Sequence, residues 1–373
     1  MGFRSVPVEG LGLMDATFGN TYAGRRVLVT GHTGFKGSWL CQWLLQLGAV
    51  VRGYALQPPT TPSLFDSLKL SDRLQDVRAD VRDAALLRKH VADFQPEFVF
   101  HLAAQPLVRY SYQQPVETYE TNVLGTVYLL EALRQWNQPC AVVVVTTDKC
   151  YENREWCYGY REIDPMGGAD PYSSSKGMAE LAVSAWRRSY WADARIRLAS
   201  ARAGNVIGGG DWALDRIVPD CIRALQAGQP VDVRNPAATR PWQHVLDPLA
   251  GYLLLASRLD VRTVGAAAAA GMCDGYNFGP AVESSRPVRD VVQTLLQHIP
   301  GTWRNLQTGP AVHEAGLLHL CTDKARHVLG WQPIWDFAQS MFRTAEWYSE
   351  YARTGDAEGL VNRQLAAFQQ AAV

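Results

Sequence analysis

Apolar residues recur in two rhythms along the first 150 residues, short β-branched runs and longer stretches at helical spacing. Arg26 to Thr30 (RVLVT) is a run of the first kind and leads straight into a glycine-rich turn. Ser38 to Leu47 follows with Trp39, Leu40, Trp43, Leu44 and Leu47 on helical spacing, and Gly48 stops the helix. Ala49 to Ala55 predicts a second strand, Leu74 to Val81 a third, Glu97 to Leu102 a fourth and Ala141 to Thr146 a fifth. Between them Gln57 to Pro62 reads as a loop, Asp83 caps a helix through Phe94, and Val116 to Trp136 has a helix-length apolar pattern. Alternating strand and helix predict an α/β fold, a Rossmann-type doubly wound parallel sheet.

After Arg202 the pattern becomes irregular, punctuated by Gly208-Gly209-Gly210 and by Pro230, Pro236, Pro241 and Pro248. Helices are expected at Ile217 to Ala227, Asp247 to Arg258, Val288 to Gln297 and Asp336 to Arg353. Gly265 to Gly271, with five alanines, reads as a loop or a frayed helix end. The expected organisation is an N-terminal extension (1–22), a dinucleotide-binding domain carrying the catalytic residues (23–202), and a smaller C-terminal α/β lobe. That lobe (203–373) is expected mainly to bind substrate, with some segments returning to the core.

Composition narrows the function classes. The chain has 47% apolar and 19% charged residues and a formal charge of zero, so no net field attracts nucleic acid or an anionic membrane. No apolar run approaches a membrane span, and the first twenty residues lack the core of a signal peptide, so the cytoplasm is the expected location. The seven cysteines are scattered and form no CxxC pair, which argues against a disulfide framework and against a zinc site; no metal is expected.

Two constellations carry chemistry. Gly31, Gly34 and Gly37 follow a strand and open a helix, which suits backbone amides approaching a dinucleotide pyrophosphate. The intervening His32, Phe35 and Lys36 belong to the same cofactor turn, with His32 and Lys36 able to reach phosphate or ribose oxygens. Asp80, with Val81, is expected to meet an adenine edge. The second strand ends without the acidic residue that often selects NAD, which leaves NAD against NADP open from spacing alone.

The second constellation is Tyr172 and Lys176, four residues apart on one helix face, with Pro171 and Asp170 as the helix start. A lysine there lowers the phenol pKa and makes tyrosine a usable proton acceptor. Thr147, at the end of the fifth strand, can bond the hydroxyl being oxidised, and Asn122 can orient the group that positions Lys176.

Strand–GxxGxxG–helix, His101-Leu102-Ala103-Ala104-Gln105, Asn122, Thr147 and YxxxK together resemble the extended short-chain dehydrogenase/reductase superfamily. Within it the chain is similar to the nucleotide-sugar 4,6-dehydratases, above all those acting on CDP-glucose. The stretches that carry this are GHTGFKGSWL, TTDKCYEN, GYREIDPMGGADPYSSSK, ARAGNVIGGGDWALDRIVPD and RNPAATRPWQHVLDP.

The resemblance implies NAD as cofactor, CDP-glucose as substrate and a role in deoxysugar biosynthesis. The family oxidises sugar C4, eliminates water across C5 and C6, and returns the hydride to C6. By that resemblance Leu102, Ala103 and Ala104 flank the cofactor, and Tyr172 with Lys176 serves the C4 step. Asp148 is the acid for the departing hydroxyl. Lys149 stands where other members carry a glutamate, either as the C5 base or as a cation polarising the 4-keto oxygen. Arg240 is assigned to the pyrophosphate, Asn205 to a phosphate oxygen or the sugar, and Asp211, Arg216 and Arg234 to the pocket for the base. An epimerase or a different dehydratase is the competing activity, and a silent cofactor-binding scaffold the competing class. A homodimer or dimer of dimers, paired through a four-helix bundle of the helices at Val116 to Trp136 and Pro171 to Tyr190, is implied as well.

Overall fold

The computed structural model of the protein describes Phe18 and residues 20–191, 195–306 and 317–372. Most of the expected N-terminal extension lies outside the described residues. Its last part does not behave as an extension. Phe18 and Tyr22 are buried core residues, and the Tyr22 hydroxyl donates to the Leu253 carbonyl at 2.5 Å, so the core begins ahead of residue 23.

Seven parallel strands form the central sheet: β1 (Arg26–Thr30), β2 (Val50–Ala55), β3 (Gln75–Arg78), β4 (Phe98–His101), β5 (Cys140–Thr146), β6 (Ile196–Arg202) and β7 (Gly275–Asn277). Their order is β7-β6-β5-β4-β1-β2-β3, so the chain leaves β3 and re-enters the sheet beside β1. Side chains alternate across the sheet. Val27, Val29, Phe98, Phe100, Val143 and Val145 join one buried cluster, whereas Leu28, Val99, Val142 and Val144 join the other.

The first cluster is covered by α1 (Phe35–Gln46) and by a helix from the later half of the chain, numbered α6 below. The second is covered by α2 (Ala84–Phe94), α3 (Gly125–Trp136) and α4 (Pro171–Ser189). Both faces of the sheet are therefore dry, as doubly wound sheets require. The C-terminal half adds α5 (Ile217–Gln226), α6 (Leu246–Leu259), α7 (Val288–His298), α8 (Phe337–Thr354) and α9 (Ala357–Ala371). The alanine run forms a short helix, Ala266–Gly271.

The expected third strand is longer than the observed one, which ends at Arg78 because Asp80 already turns the chain through its bond to the Arg82 amide. Beyond β6 three two-stranded pieces form, Val206–Ile207 with Gln243–His244, Thr239–Pro241 with Ser285–Pro287, and Val231–Val233 with Trp303–Asn305.

Candidate active site

The turn after β1 is shaped by what cannot fit beside it. Gly31 has φ +74°, and a Cβ there would lie 2.6 Å from the Ala103 amide nitrogen. A Cβ on Gly37 would lie 2.2 Å from the Gly31 carbonyl oxygen. Both positions demand glycine. Gly34 is the N-cap of α1 and no side chain caps the helix, so its first amides are left for an anion. Leu102 and Ala103 face the turn, the Leu102 amide bonding Thr30 O at 3.0 Å. Ala104 follows them, half-buried. An uncapped helix start behind a glycine cradle fits a dinucleotide pyrophosphate.

The side chains of this turn differ from expectation. His32 does not reach outward. Its ring is wholly buried over Gly53, edge-on to Phe65, and its Nε2 meets Asp76 at 2.8 Å. Burial pushes the imidazole below its ordinary pKa, with Asp76 opposing. Only the backbone of His32 is left for a cofactor. Asp80 is likewise occupied, its carboxylate accepting two bonds from the Arg82 guanidinium at 2.9 and 2.6 Å, which hold its carboxyl low. Val81 is a core residue packed on Gly125. Phe35 packs near Gly208.

Lys36 is half-buried and points toward the chemistry. Burial, then the neighbouring Arg216, push its ammonium down to about 7; Asp148 and Asp211 oppose and Lys176 adds to the shift.

The start of α4 is fixed by Asp170, whose carboxylate accepts from the Ser173 amide at 2.9 Å, with Pro171 at the first helical turn. Tyr172 and Lys176 are both buried on this helix. Burial raises the phenol to about 12; a hydrogen bond with Thr147 lowers it, Asp148 raises it, and Arg216 lowers it. The expected lowering by Lys176 is not among the main influences. Burial also brings Lys176 down to about 8, against the upward pull of Glu180, and its Nζ donates to Val145 O at 3.5 Å.

Asn122 sits in a π-helical turn (Glu120–Leu124) just before α3. Its amide nitrogen donates to Ser175 Oγ at 2.9 Å and to Gln105 O at 3.1 Å, while its oxygen accepts from the Gln105 amide at 2.8 Å. It thus ties α4, next to Lys176, to the loop after β4.

Thr147 directly follows β5 and caps a 3₁₀ turn, Asp148–Cys150. Thr147 Oγ1 donates to Asp148 Oδ1 at 2.9 Å, and Asn205 Nδ2 donates to Asp148 Oδ2 at 3.4 Å. Asp148 is 1% exposed, lying where a Cβ on Gly204 would be. Asn205 takes φ +47°, which turns its side chain back onto the carboxylate. Lys149 follows, half-buried. Tyr172, Thr147, Asp148, Lys176, Lys36, Arg216 and Asn205 therefore converge at the carboxyl ends of β1, β5 and β6.

Arg216 precedes α5 and bonds Asp211 at 3.2 Å, close enough to Tyr172 and Lys36 to shift both. Arg234 is exposed and shares Asp215 with Arg109, at 3.2 and 3.3 Å. Arg240 lies in Thr239–Pro241 and donates to Thr239 O at 2.8 Å. Sequence reasoning missed Glu180, Arg202 and Tyr151, a buried polar group behind this cluster. Glu180 alone carried a signal, sitting four residues beyond Lys176 on the face that Tyr172 and Lys176 share.

A doubly wound sheet with a glycine turn after β1 and a Tyr–Lys pair facing β5 defines a short-chain dehydrogenase/reductase of the extended type. The chain belongs to the GDP-mannose 4,6 dehydratase family, whose profile matches residues 28–344. It is 49% identical over 359 residues to a CDP-glucose 4,6-dehydratase of Salmonella typhimurium, covering 94% of this chain and 98% of that one. Among solved structures it is similar to a dTDP-glucose 4,6-dehydratase from Streptomyces venezuelae with NAD and TYD bound. There the TM-score is 0.71 and the identity 25%, over 87% of this chain and 97% of that one. A UDP-glucose 4-epimerase of Thermus thermophilus in complex with NAD gives a TM-score of 0.73 and 25% identity, over 87% and 99% of the two chains.

Proposed function

We propose that this chain is an NAD-dependent 4,6-dehydratase that converts CDP-glucose into CDP-4-keto-6-deoxyglucose. The observation that carries the reading is the buried Asp148, set between Thr147 and Asn205 and followed by Lys149, beside an intact Tyr172–Lys176 pair. An epimerase eliminates no water and has no use for an acid at that place. Near full-length similarity to a CDP-glucose enzyme supports the substrate.

When bound, NAD supplies the acceptor for the C4 hydride, returns that hydride to C6, and brings positive charge to the site. The chain's own groups handle the protons. Tyr172 receives the C4 hydroxyl proton, with Thr147 bonding the same oxygen and Lys176 providing nearby cationic charge. A C4 ketone acidifies the C5 proton, which Lys149 removes. Asp148 gives a proton to the C6 hydroxyl, which leaves as water. Lys149 then returns its proton to C5, and the proton held by Tyr172 passes back to Asp148 through solvent, so the groups are restored and the net change is loss of one water. Arg216 and Asn205, with Arg234 and Arg240, are assigned to the diphosphate and nucleotide, where guanidinium groups suit phosphate oxygens.

We also assign the partner surface to a second copy of this chain. Val116, Leu124, Met178 and Leu181 are exposed at 68%, 42%, 45% and 60%, and the segments around α3 and α4 that carry them pack together. That pairing makes a four-helix bundle of two copies. Seven free thiols, Cys157 among them exposed, suit a reducing compartment such as the cytoplasm. Among the described residues no helix is long and apolar enough to cross a membrane.

Proton NMR of the protein with CDP-glucose and catalytic NAD tests the reading. A new C6 methyl doublet is expected. Turnover confined to dTDP-, UDP- or GDP-glucose would overturn the substrate, and a C4 epimer with no methyl signal would overturn the elimination.

A further inference from the structure

Glu180, Arg202 and Tyr151 form a buried chain of polar contacts that none of the roles above uses. Glu180 lies on α4 one helical turn beyond Lys176, 4% exposed. Its carboxylate accepts from Thr146 Oγ1, from Ser200 Oγ at 2.7 Å and from the Arg202 guanidinium at 2.8 Å. Burial disfavours this carboxylate, yet the Arg202 charge and these bonds hold its pKa below the usual value. Arg202, at the end of β6, uses its other arm to donate to the Tyr151 hydroxyl, and its guanidinium lies 5.1 Å over the Tyr151 ring. The Tyr151 hydroxyl in turn donates to Asn277 Oδ1 at 2.7 Å on β7.

Burying an ion pair returns little net stability, because desolvation of both charges offsets their attraction. What such a pair does supply is fixed geometry. Tyr151 directly follows the Asp148–Cys150 turn, and Thr146 directly precedes Thr147. One carboxylate and one guanidinium therefore join the helix bearing Tyr172 and Lys176 to both ends of the turn bearing Asp148 and Lys149. The Gly167 amide bonds Cys150 O at 2.9 Å and Cys150 and Tyr151 pack in a small cluster with Tyr160, but the turn's own capping bond from the Lys149 amide to Thr147 Oγ1 is long, at 3.4 Å, so its Asp148–Lys149 part leans on the anchors at its two ends.

We propose that Glu180, Arg202 and Tyr151 are positioning residues that hold the elimination pair, Asp148 and Lys149, in register with the oxidation pair, Tyr172 and Lys176. The proposal rests on the dehydratase reading of these four groups. It predicts that weakening the relay uncouples two steps of one reaction. Oxidation depends on Tyr172 and Lys176, which the helix itself fixes. Elimination depends on a short turn that the relay fixes.

Tyr151→Phe removes the hydroxyl link and leaves the ring stacked on Tyr160 at 5.3 Å. With NAD-loaded enzyme and CDP-glucose in deuterated water, three quantities are followed. These are single-turnover reduction of the nicotinamide, deuterium entry at C5, and the 6-deoxy product. C4 oxidation is expected to stay within about threefold of the parent, while C5 exchange and product fall roughly tenfold to a hundredfold, the usual cost of a small misplacement. The KM for CDP-glucose is expected to hold. Arg202→Lys, which keeps a cation opposite Glu180 but loses the second arm, is expected to show the same split. Equal loss of both steps together with a lowered Tm would overturn the proposal, leaving a structural pair. No change in either variant would overturn it too. If the parent enzyme itself forms no 6-deoxy sugar, the dehydratase reading fails ahead of the relay.

Discussion

The turns after β1 and after β5 stand at the same end of the sheet, yet they are built in opposite ways. The first is made of backbone. Gly31 and Gly37 leave no room for a Cβ, His32 is folded inward over Gly53, and the helix start is left uncapped. The second is made of side chains. Thr147, Asp148 and Lys149 sit on a single 3₁₀ turn and its cap, and Asn205 and Tyr172 meet them from other elements. A backbone site is damaged by adding atoms, whereas a side-chain site is damaged by removing them. The two turns therefore answer to different substitutions.

The largest effect is expected from removing one oxygen. Tyr172→Phe takes away the proton acceptor, and kcat for C4 oxidation should fall about 10³-fold with the fold intact, as judged by nicotinamide reduction and by circular dichroism. Lys149→Met should leave oxidation near the parent rate while product formation drops about 10²-fold, so reduced cofactor accumulates in a single turnover. Dehydration at the parent rate would remove Lys149 from the C5 role and leave it polarising the ketone.

The turn after β1 should respond in stability instead. Gly37→Ala forces a Cβ to within 2.2 Å of a carbonyl oxygen and should cost about 2–4 kcal/mol, read from the urea midpoint. His32→Ala empties the space over Gly53 and leaves Asp76 to Arg78 alone, for a loss of about 2 kcal/mol by the same measurement. A stability unchanged from the parent would mean that the ring is not the packing element described here.

The smallest effect lies where the two turns meet. Burial brings the Lys36 ammonium down to about 7 in the folded protein, against 10.5 for a solvated lysine, so between those values the unfolded chain binds more protons. This group therefore makes stability rise with pH across that window, and below it contributes no slope. Lys36→Met should flatten the rise in denaturant midpoint measured from pH 7 to 10. A slope identical to the parent would place the lysine in solvent.

Regular periodicity made much of the sheet legible from the sequence. β1, β2, β4 and β5 are apolar runs, and each was expected close to where it stands. β6 was not singled out, because Ile196–Arg202 reads IRLASAR, with Arg197, Ser200 and Arg202 at positions that look exposed. All seven residues are buried, and Ser200 and Arg202 are matched to Glu180 from a different element. β7 is three residues long and carries no periodic signal.

The same reason divides the site. Tyr172 and Lys176 were legible because their partnership is local, four residues on one helix. The relay was not, because Arg202 meets Tyr151 across 51 residues and Glu180 across 22. His32 misled for a third reason. Its neighbours in sequence are cofactor glycines, but the backbone direction at that position sends the ring into the core. Position in a motif located the residue and not its side chain.

Oxidation at C4, elimination of water and return of the same hydride to C6 all belong to one site. The most direct measurement is the fate of the label in CDP-glucose deuterated at C4. Product whose C6 methyl carries that deuterium, with none released to solvent, is the predicted result. A methyl group free of deuterium, with the label left on the cofactor or lost to water, would contradict it.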